Sequence, residues 1–437
     1  MKPFDILIKN GVVVALDSRD RIISNGAVAI SGDRISDIGP MAQFSECSAL
    51  KTIDANGGII MPGLINTHTH AAMTCFRGLA DDLPLMTWLN DHIFPAEARL
   101  NYEKVKTGSL LACAEMMLSG TTCFADMYLF EDAVAEAAKA AGMRAVVGEV
   151  LYDFPSPCYG PIESGFAYTE NLIGKWKRDP LITVAVEPHS PYLCAPDLLI
   201  KAGELSERHQ IPFIIHVAET RTEADTLQQK YGRTAIAHLA AIGVLSPRLL
   251  ACHCVVLKDA DIDLLVRFDV KVSHNPESNM KLASGIAPVS QLLKAGVCVG
   301  LGTDGPTSNN NLDLFSEMDT AAKLHKVNTL DPTVMDAKTV LKMATLEAAK
   351  ALGLDAVTGS LVPGKKADVI VIDTRKPHLT PMYNVYSHLV YAAGGSDVDT
   401  VVINGRVVVE KRRLLTLDAP KIMADVNQIA AEIKAGK

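Results

Sequence analysis

The sequence predicts an α/β protein: a (β/α)8 TIM barrel inserted in a small β-sandwich formed by the N- and C-terminal segments. Three observations predict it. First, short apolar runs at 59–66, 121–126, 145–150, 182–187, 212–217, 249–254, 270–274 and 297–303 alternate with helix-like stretches. Such runs indicate parallel strands covered on both faces, and a series of eight indicates a barrel. The count of eight depends on 270–274, the weakest run. Second, both flanks are rich in short strands and turn dipeptides. Third, histidines and acids gather at the ends of the runs, where a barrel of this kind carries its active site.

The N-terminal flank, 1–58, has β-type runs at 6–9, 12–16, 28–31 and 35–38, punctuated by Asn10-Gly11, Asn25-Gly26 and Gly32-Asp33. The middle zone, 59–357, is read as the catalytic barrel. Within it, an Ala-rich helix over 131–141 stops at Gly142, a residue suited to ending helices. A helix over 339–352 places Val340, Ala344, Ala348 and Ala351 on one face and stops at Gly353. The third zone, 358–437, returns to strands at 368–373 and 400–410, the latter split into a hairpin by Asn404-Gly405. It is expected to join the N-terminal strands in one composite domain and to end in a helix over 420–436.

Composition narrows the function. The chain has 437 residues, 48% hydrophobic and 21% charged, which excludes disorder, collagen and coiled coil as whole-chain descriptions. The balance of 42 Lys+Arg against 50 Asp+Glu gives −8 and argues against nucleic acid or an anionic membrane as partner. Nine cysteines without a CxxC pair read as free thiols in a reducing compartment. The first residues alternate like a strand, with no basic head and apolar run, so no signal peptide is expected. No stretch approaches ~20 uninterrupted apolar residues, so no membrane span is expected and the cytoplasm is the expected location.

The chemistry is read from the strand ends. His68 and His70 follow the first run, His189 the fourth, His216 and Glu219 the fifth; the sixth contains His253, and Asp304 follows the eighth. Residues two apart on an extended strand point to one side, so His68 and His70 can hold one metal together. His216 and Asp304 are the natural further ligands, a nitrogen and oxygen set that suits Zn²⁺ and that iron(II) could also use. No lysine ends the fourth run, so the two-metal, carbamylated-lysine arrangement is not expected and one divalent ion per subunit is. A bound ion lowers the pKa of its water from about 15.7 to about 7. Asp304 could also accept the water proton, and His253 could orient or deprotonate that water. Glu219 could carry a proton to the substrate, or could be a charge at a helix N-terminus. His189 is a candidate substrate contact. His92, His209, His238 and His325 fall in helical segments and read as structural, while His274 lines the site or packs its loop.

Two further motifs fail on context. Gly300-Leu-Gly-Thr-Asp-Gly305 matches GxGxxG, but on the eighth strand rather than the first. Gly359 to Lys365 matches GxxxxGK, yet Lys366 replaces the required Ser/Thr, and the expected strand–loop–helix order is reversed.

PGLINTHTHAAM, HVAET, HCVVL, SHNPESNMKL and GLGTDG, in that order, resemble the metal-dependent amidohydrolase superfamily. More narrowly, with LPLMTWLNDHIFPAEARL and EPHSPYLC, the chain resembles its ring-deaminating and dechlorinating branch. The resemblance covers essentially the whole chain, including GSLVPGKKADVIVID in the returning segment. It implies a metal on His68, His70, His216 and Asp304, and substrate contacts from Glu97, His189 and Glu219. Glu97 is suited to accept both hydroxyls of a ribose diol, or could be a helix-start charge. Trp88 is a candidate wall of the ring pocket or a core residue. The implied reaction is hydrolytic deamination of the adenine ring of 5′-methylthioadenosine or S-adenosylhomocysteine: activated water attacks C6, Glu219 protonates N1, and His253 and Asp304 manage the water proton. The alternative is another ring hydrolase, a guanine or pterin deaminase or a chlorotriazine hydrolase. Several members place an arginine near the third strand for the substrate, whereas here Glu149 stands near that place, which puts a charged homocysteine tail in doubt. The expected partner is a small nucleoside. Barrels of this kind commonly self-associate, but the sequence points to no interface.

Overall fold

The computed structural model describes residues 3–83 and 87–435. Positions 84–86 of the LPLMTWLN string, and Gly436 of the expected terminal helix, lie outside them.

The terminal segments build one sheet. Its N-terminal strands are β1 (Phe4–Val14), β2 (Ile22–Ser31), β3 (Arg34–Pro40), β4 (Ala49–Asp54) and β5 (Ile59–Pro62). The middle zone contributes β6 (Leu64–Thr69), β7 (Thr121–Tyr128), β8 (Arg144–Leu151), β9 (Ile182–Val184), β10 (Glu187–Pro188), β11 (Phe213–Val217), β12 (Leu249–His253), β13 (Lys271–His274) and β14 (Val299–Leu301). The chain returns through β15 (Val369–Ile372), β16 (Val398–Ile403), β17 (Arg406–Glu410) and β18 (Arg413–Leu414).

The outer sheet runs β18-β17-β16-β15-β5-β1-β2-β3, with β4 beside β1, so both chain ends share one hydrogen-bonded sheet of nine described strands. The stitch is β5, which pairs parallel with β1 and antiparallel with β15. The sequence assigns residues 59–66 to one barrel strand; instead the run divides at Gly63. There Gly63 N–H donates to Asp368 O at 3.1 Å and Leu64 N–H to Gly120 O at 3.0 Å, handing the chain from one sheet to the other.

Two other local expectations change. Residues 6–9 and 12–16 are not separated by a turn: β1 is one strand of 11 residues, with register shifts on either side of Gly11. Asn10 sits there at φ 59°, a left-handed conformation that Asn tolerates, so the dipeptide makes a bulge. The helix expected over 339–352 is two helices, Ala337–Met343 and Leu346–Ala351. Between them the Ala344 carbonyl accepts Ile65 N–H of β6 at 2.9 Å, which ties the break to the first inner strand. By contrast, Asn404 and Gly405 both take positive φ (51° and 76°) and close the β16–β17 hairpin as read. The helix Glu131–Ala141 ends at left-handed Gly142.

The inner strands form a curled, TIM-barrel-like parallel sheet. β6, β7 and β8 pair in parallel, and β8 pairs next with β9 and β10, which share one strand position. β11 to β14 pair in parallel in chain order, which makes eight strand positions among the described residues. Two seams join the sets. At one, Val186 N–H donates to Pro212 O at 2.9 Å and Ile214 N–H to Val186 O at 3.1 Å. At the other, Asp304 N–H donates to His68 O at 3.0 Å. Beside it the Asn66 side chain spans to Thr303, giving its amide N–H to Oγ1 at 2.7 Å and accepting Thr303 N–H at 3.1 Å. A Cβ on Gly302 would lie 2.5 Å from Asn275 Oδ1 and 2.9 Å from His68 N, so a glycine of GLGTDG serves close strand approach. β6, β7 and β8 are buried at every residue, as strands covered on both faces must be.

No helix of the described residues is long and apolar enough to cross a membrane. All nine cysteines are free thiols. Sheet and barrel are pinned by a buried fork: Arg144 Nε donates to Asp368 Oδ2 at 2.9 Å and Nη2 to Oδ1 at 3.2 Å. Asp368 Oδ1 also accepts Asn404 N–H at 2.7 Å. Asp368→Ala would leave a buried guanidinium unpaired, so a loss of about 3–5 kcal/mol is expected in urea unfolding. A loss below about 1 kcal/mol, the range of an exposed pair, would show that the fork does not join the two sheets.

Candidate active site

Six of the residues singled out at strand ends meet at one mouth of the curled sheet. β6 carries His68 and projects His70 just beyond its end; their rings lie 4.9 Å apart between centroids. His216 of β11 approaches His68 at 4.8 Å and His189 at 4.7 Å, and His253, the last residue of β12, lies 5.6 Å from both His68 and His216. Asp304, three residues past β14, places Oδ1 3.0 Å from His70 Nε2 and 3.5 Å from His68 Nε2.

The backbone turns sharply where these side chains project. Ala218, His253 and Asp304 all have left-handed φ, at 54°, 74° and 60°. Each such residue costs about 1–2 kcal/mol, so surrounding bonds must hold it. At the β11 end, Glu223 does so: its carboxylate accepts Ala218 N–H at 2.9 Å and Glu219 N–H at 2.8 Å. At the β14 end, Thr69 Oγ1 and Thr303 Oγ1 donate to Asp304 O at 3.1 and 3.0 Å.

The ring nitrogens are sorted by their partners. His70 Nδ1 bonds to Met127 O, and His216 Nδ1 to His189 O at 2.8 Å, so both turn Nε2 inward. His253 Nδ1 bonds to Asn279 Oδ1 at 2.9 Å, leaving Nε2 4.0 Å from Glu219 Oε2. Asp304 Oδ2 accepts the hydroxyls of Ser278 (2.6 Å) and Ser308 (2.7 Å), leaving Oδ1 for the histidines. Two sets could hold a metal ion, His68 with His70 and His216, and His68 with His253 and Asp304; in each set the candidate ligand atoms lie within 4.8 Å of one another. His253 is therefore within the same reach as the four ligands expected from the sequence.

Burial dominates the electrostatics. It pulls His68 down to about 4 and His189 to about 3, and holds His216 well below the usual imidazole range. Burial opposes protonation of His70 as well, but Asp304 outweighs it and raises His70 to about 9. Burial opposes ionisation of Asp304, but hydrogen bonds to His68 and His70 outweigh it and hold the carboxyl well below its ordinary value. Burial raises Glu219, and pushes Glu97 up to about 7 against a hydrogen bond from Tyr128.

Above this floor opens a cavity with a mostly apolar wall. Trp88, Leu89, Phe94, Tyr152 and Phe154 line it together with Glu97, His189 and Glu219. Trp88 is fixed by its indole N–H, which donates to Ala80 O at 3.0 Å. Glu97 closes the short helix Phe94–Glu97, and Tyr128 O–H donates to its Oε1 at 2.8 Å. Tyr152 and Phe154 stack with centroids 3.9 Å apart. Sequence reasoning missed Tyr128, Tyr152, Phe154, Glu223, Ser278, Asn279 and Ser308. Only Asn279 and Ser278 had a signal, inside SHNPESNMKL. Glu149 does not line the cavity. Its Oε2 accepts Glu131 N–H at 2.9 Å in the protein interior. His274 also turns away, its Nε2 3.0 Å from that of His325. His238 is buried and stacks on Tyr231, His209 pairs with Glu170, and His92 is exposed.

The Amidohydrolase family model matches residues 59–408. The chain belongs to the amidohydrolase family. Over 431 residues, 98% of each chain, this amidohydrolase is 59% identical to a 5-methylthioadenosine/S-adenosylhomocysteine deaminase of Syntrophobacter fumaroxidans. Over 433 residues, 99% of each chain, it is 47% identical to a 5′-deoxyadenosine deaminase of Methanosarcina acetivorans. A solved adenosine deaminase from Xanthomonas campestris with bound zinc superposes with a TM-score of 0.97 at 39% identity, covering 99% of each chain.

Glu223 tests whether the amidohydrolase depends on the clamp at the β11 end. Glu223→Ala is expected to lower kcat about 10–100-fold with a much smaller change in KM, the scale seen when groups that orient ligands are removed. Unchanged kcat in a variant that melts normally would show that the two backbone bonds do not position Glu219.

Proposed function

We propose that the protein hydrolyses the 6-amino group of adenine in 5′-substituted adenosines of the methylthioadenosine, adenosylhomocysteine and deoxyadenosine type. The products are the hypoxanthine nucleoside and ammonia. The observation that carries the reading is a largely buried donor set, three histidines and Asp304, beneath an aromatic cavity that also holds Glu97 and Glu219. Residues 1–58 with 358–437 make the composite sheet domain on this reading, folded over its apolar residues as a sandwich, and 59–357 make the catalytic barrel.

His68, His70, His216 and Asp304 would hold one divalent ion. The residues fit one: His68 Nε2 is buried without a hydrogen-bond partner, and two Nδ1 atoms are already engaged by carbonyls. Nitrogen and carboxylate donors suit zinc, with iron(II) the other candidate. When bound, the ion supplies Lewis acidity that brings the pKa of water near about 7.

The chain's own groups do the rest. Glu219, whose affinity for a proton is raised by burial, donates one to N1 of the ring and makes C6 electrophilic. His253 Nε2, aimed by the Asn279 bond, takes the proton of the attacking water, with Asp304 Oδ1 as its second acceptor. A C6–O bond forms and the C6–N bond breaks. One water proton, carried by His253, leaves with the amino group as ammonia, and the second, released from the new C6 hydroxyl as the carbonyl forms, returns to Glu219. His189 and Trp88 contact the ring. Glu97 accepts the 2′- and 3′-hydroxyls, which a charged carboxylate does best. A reducing compartment suits the nine free thiols.

Ammonia release and the adenine-to-hypoxanthine absorbance change should follow addition of 5′-methylthioadenosine or 5′-deoxyadenosine. Glu219→Gln should lose about 10²–10⁴ in kcat. Turnover of guanine or a chlorotriazine with no adenosine deaminated would contradict the reading. With Glu97 near 7, kcat/KM for ribosides should fall as pH drops through about 7 and the carboxylate protonates. In Glu97→Gln that acid limb should vanish; an unchanged limb would assign it to another group.

A further inference from the structure

Resting on the proposed deamination, we infer that the cavity selects adenosines whose 5′ substituent is uncharged and apolar, and discriminates against a 5′ tail that carries an amino acid. The wall next to Glu97 carries the argument. Phe94 shares a short helix with Glu97, and its ring lies 6.4 Å from Phe154, which stacks on Tyr152. With the ribose diol on Glu97, the 5′ carbon is delivered to this aromatic group. An alkyl or thioether group there gains from burial against the rings, and a thioether sulfur packs well on aromatic edges.

A zwitterionic tail finds no partner in the same place. Among the described residues, no lysine or arginine lines the cavity. From residue 145 to residue 174, the stretch that follows β8 and supplies Tyr152 and Phe154, the sequence has no basic residue. Its nearby charge is acidic: Asp153 is tied to Ala195 N–H at 2.5 Å, and Glu149 is turned into the interior. The three carboxyls that do line the cavity are all committed, Glu97 to Tyr128 and the sugar, Glu219 and Asp304 to the ring and the water. A tail carboxylate would therefore sit against aromatic carbon and acidic oxygen, and desolvating it unpaired is unfavourable.

The test separates charge from length. The protein is assayed with 5′-methylthioadenosine, 5′-butylthioadenosine (an uncharged tail of matching length) and S-adenosylhomocysteine. The expected kcat/KM for the butylthio compound is within about 10-fold of methylthioadenosine, and that for adenosylhomocysteine about 100-fold lower, the scale of rejection by an unpaired buried polar group. Phe154→Arg, which adds a cation at a partly exposed position, should shift the ratio at least about 10-fold toward adenosylhomocysteine. Equal turnover of adenosylhomocysteine and the butylthio compound overturns the inference. So does loss of both, which would show exclusion by length. No turnover of any adenosine overturns the proposed function, and this inference with it.

Discussion

The closure of the inner sheet between β6 and β14 is the constraint on which the site depends. The bond that makes it, Asp304 N–H to His68 O, joins the backbones of two residues whose side chains also face each other across the cavity floor. Closing the barrel and assembling the donor set are thus one event. The Asn66–Thr303 bridge and the close approach allowed at Gly302 serve the same seam. The break after Met343 belongs to it too, because the freed Ala344 carbonyl anchors Ile65 on the other side of β6.

That convergence carries an electrostatic burden. Buried imidazoles and carboxyls lie within a few ångströms of one another, where charge is poorly solvated. The fold answers with partners for the outward-facing atoms: carbonyls for His70 and His216, Asn279 for His253, two serines for Asp304. What stays unsatisfied is directed inward, His68 Nε2 above all. A second group, Asp126, Glu131, Glu149 and Glu187, is also buried, and burial raises every one of these carboxyls.

Much of this was legible in the sequence, and the reason is periodicity. A buried parallel strand leaves a run of apolar residues, and a functional side chain must follow its end, so His68, His70, His189, His216, His253 and Asp304 could be placed together without any distance. The aromatic wall was not legible, because Phe94, Tyr152 and Phe154 lie on loops and short helices where no period ties them to a face. Glu223 lies in the first turn of a helix, and its role depends on the left-handed turn at Ala218, which no residue type announces. The division of the run 59–66 between two sheets escaped for a related reason. The apolar run continues from β5 into Leu64 and Ile65 of β6, and the handover at Gly63 is made by backbone bonds.

The central claim is that His68, His70, His216 and Asp304 together hold a metal ion. The most direct measurement is the metal content of the purified protein and of His68→Ala and Asp304→Asn, each checked for folding by circular dichroism. The account predicts about one zinc or iron per wild-type chain and less than about a tenth of that in either variant. Variants that keep a full complement of metal, or a wild-type protein that turns over substrate with none, would contradict it.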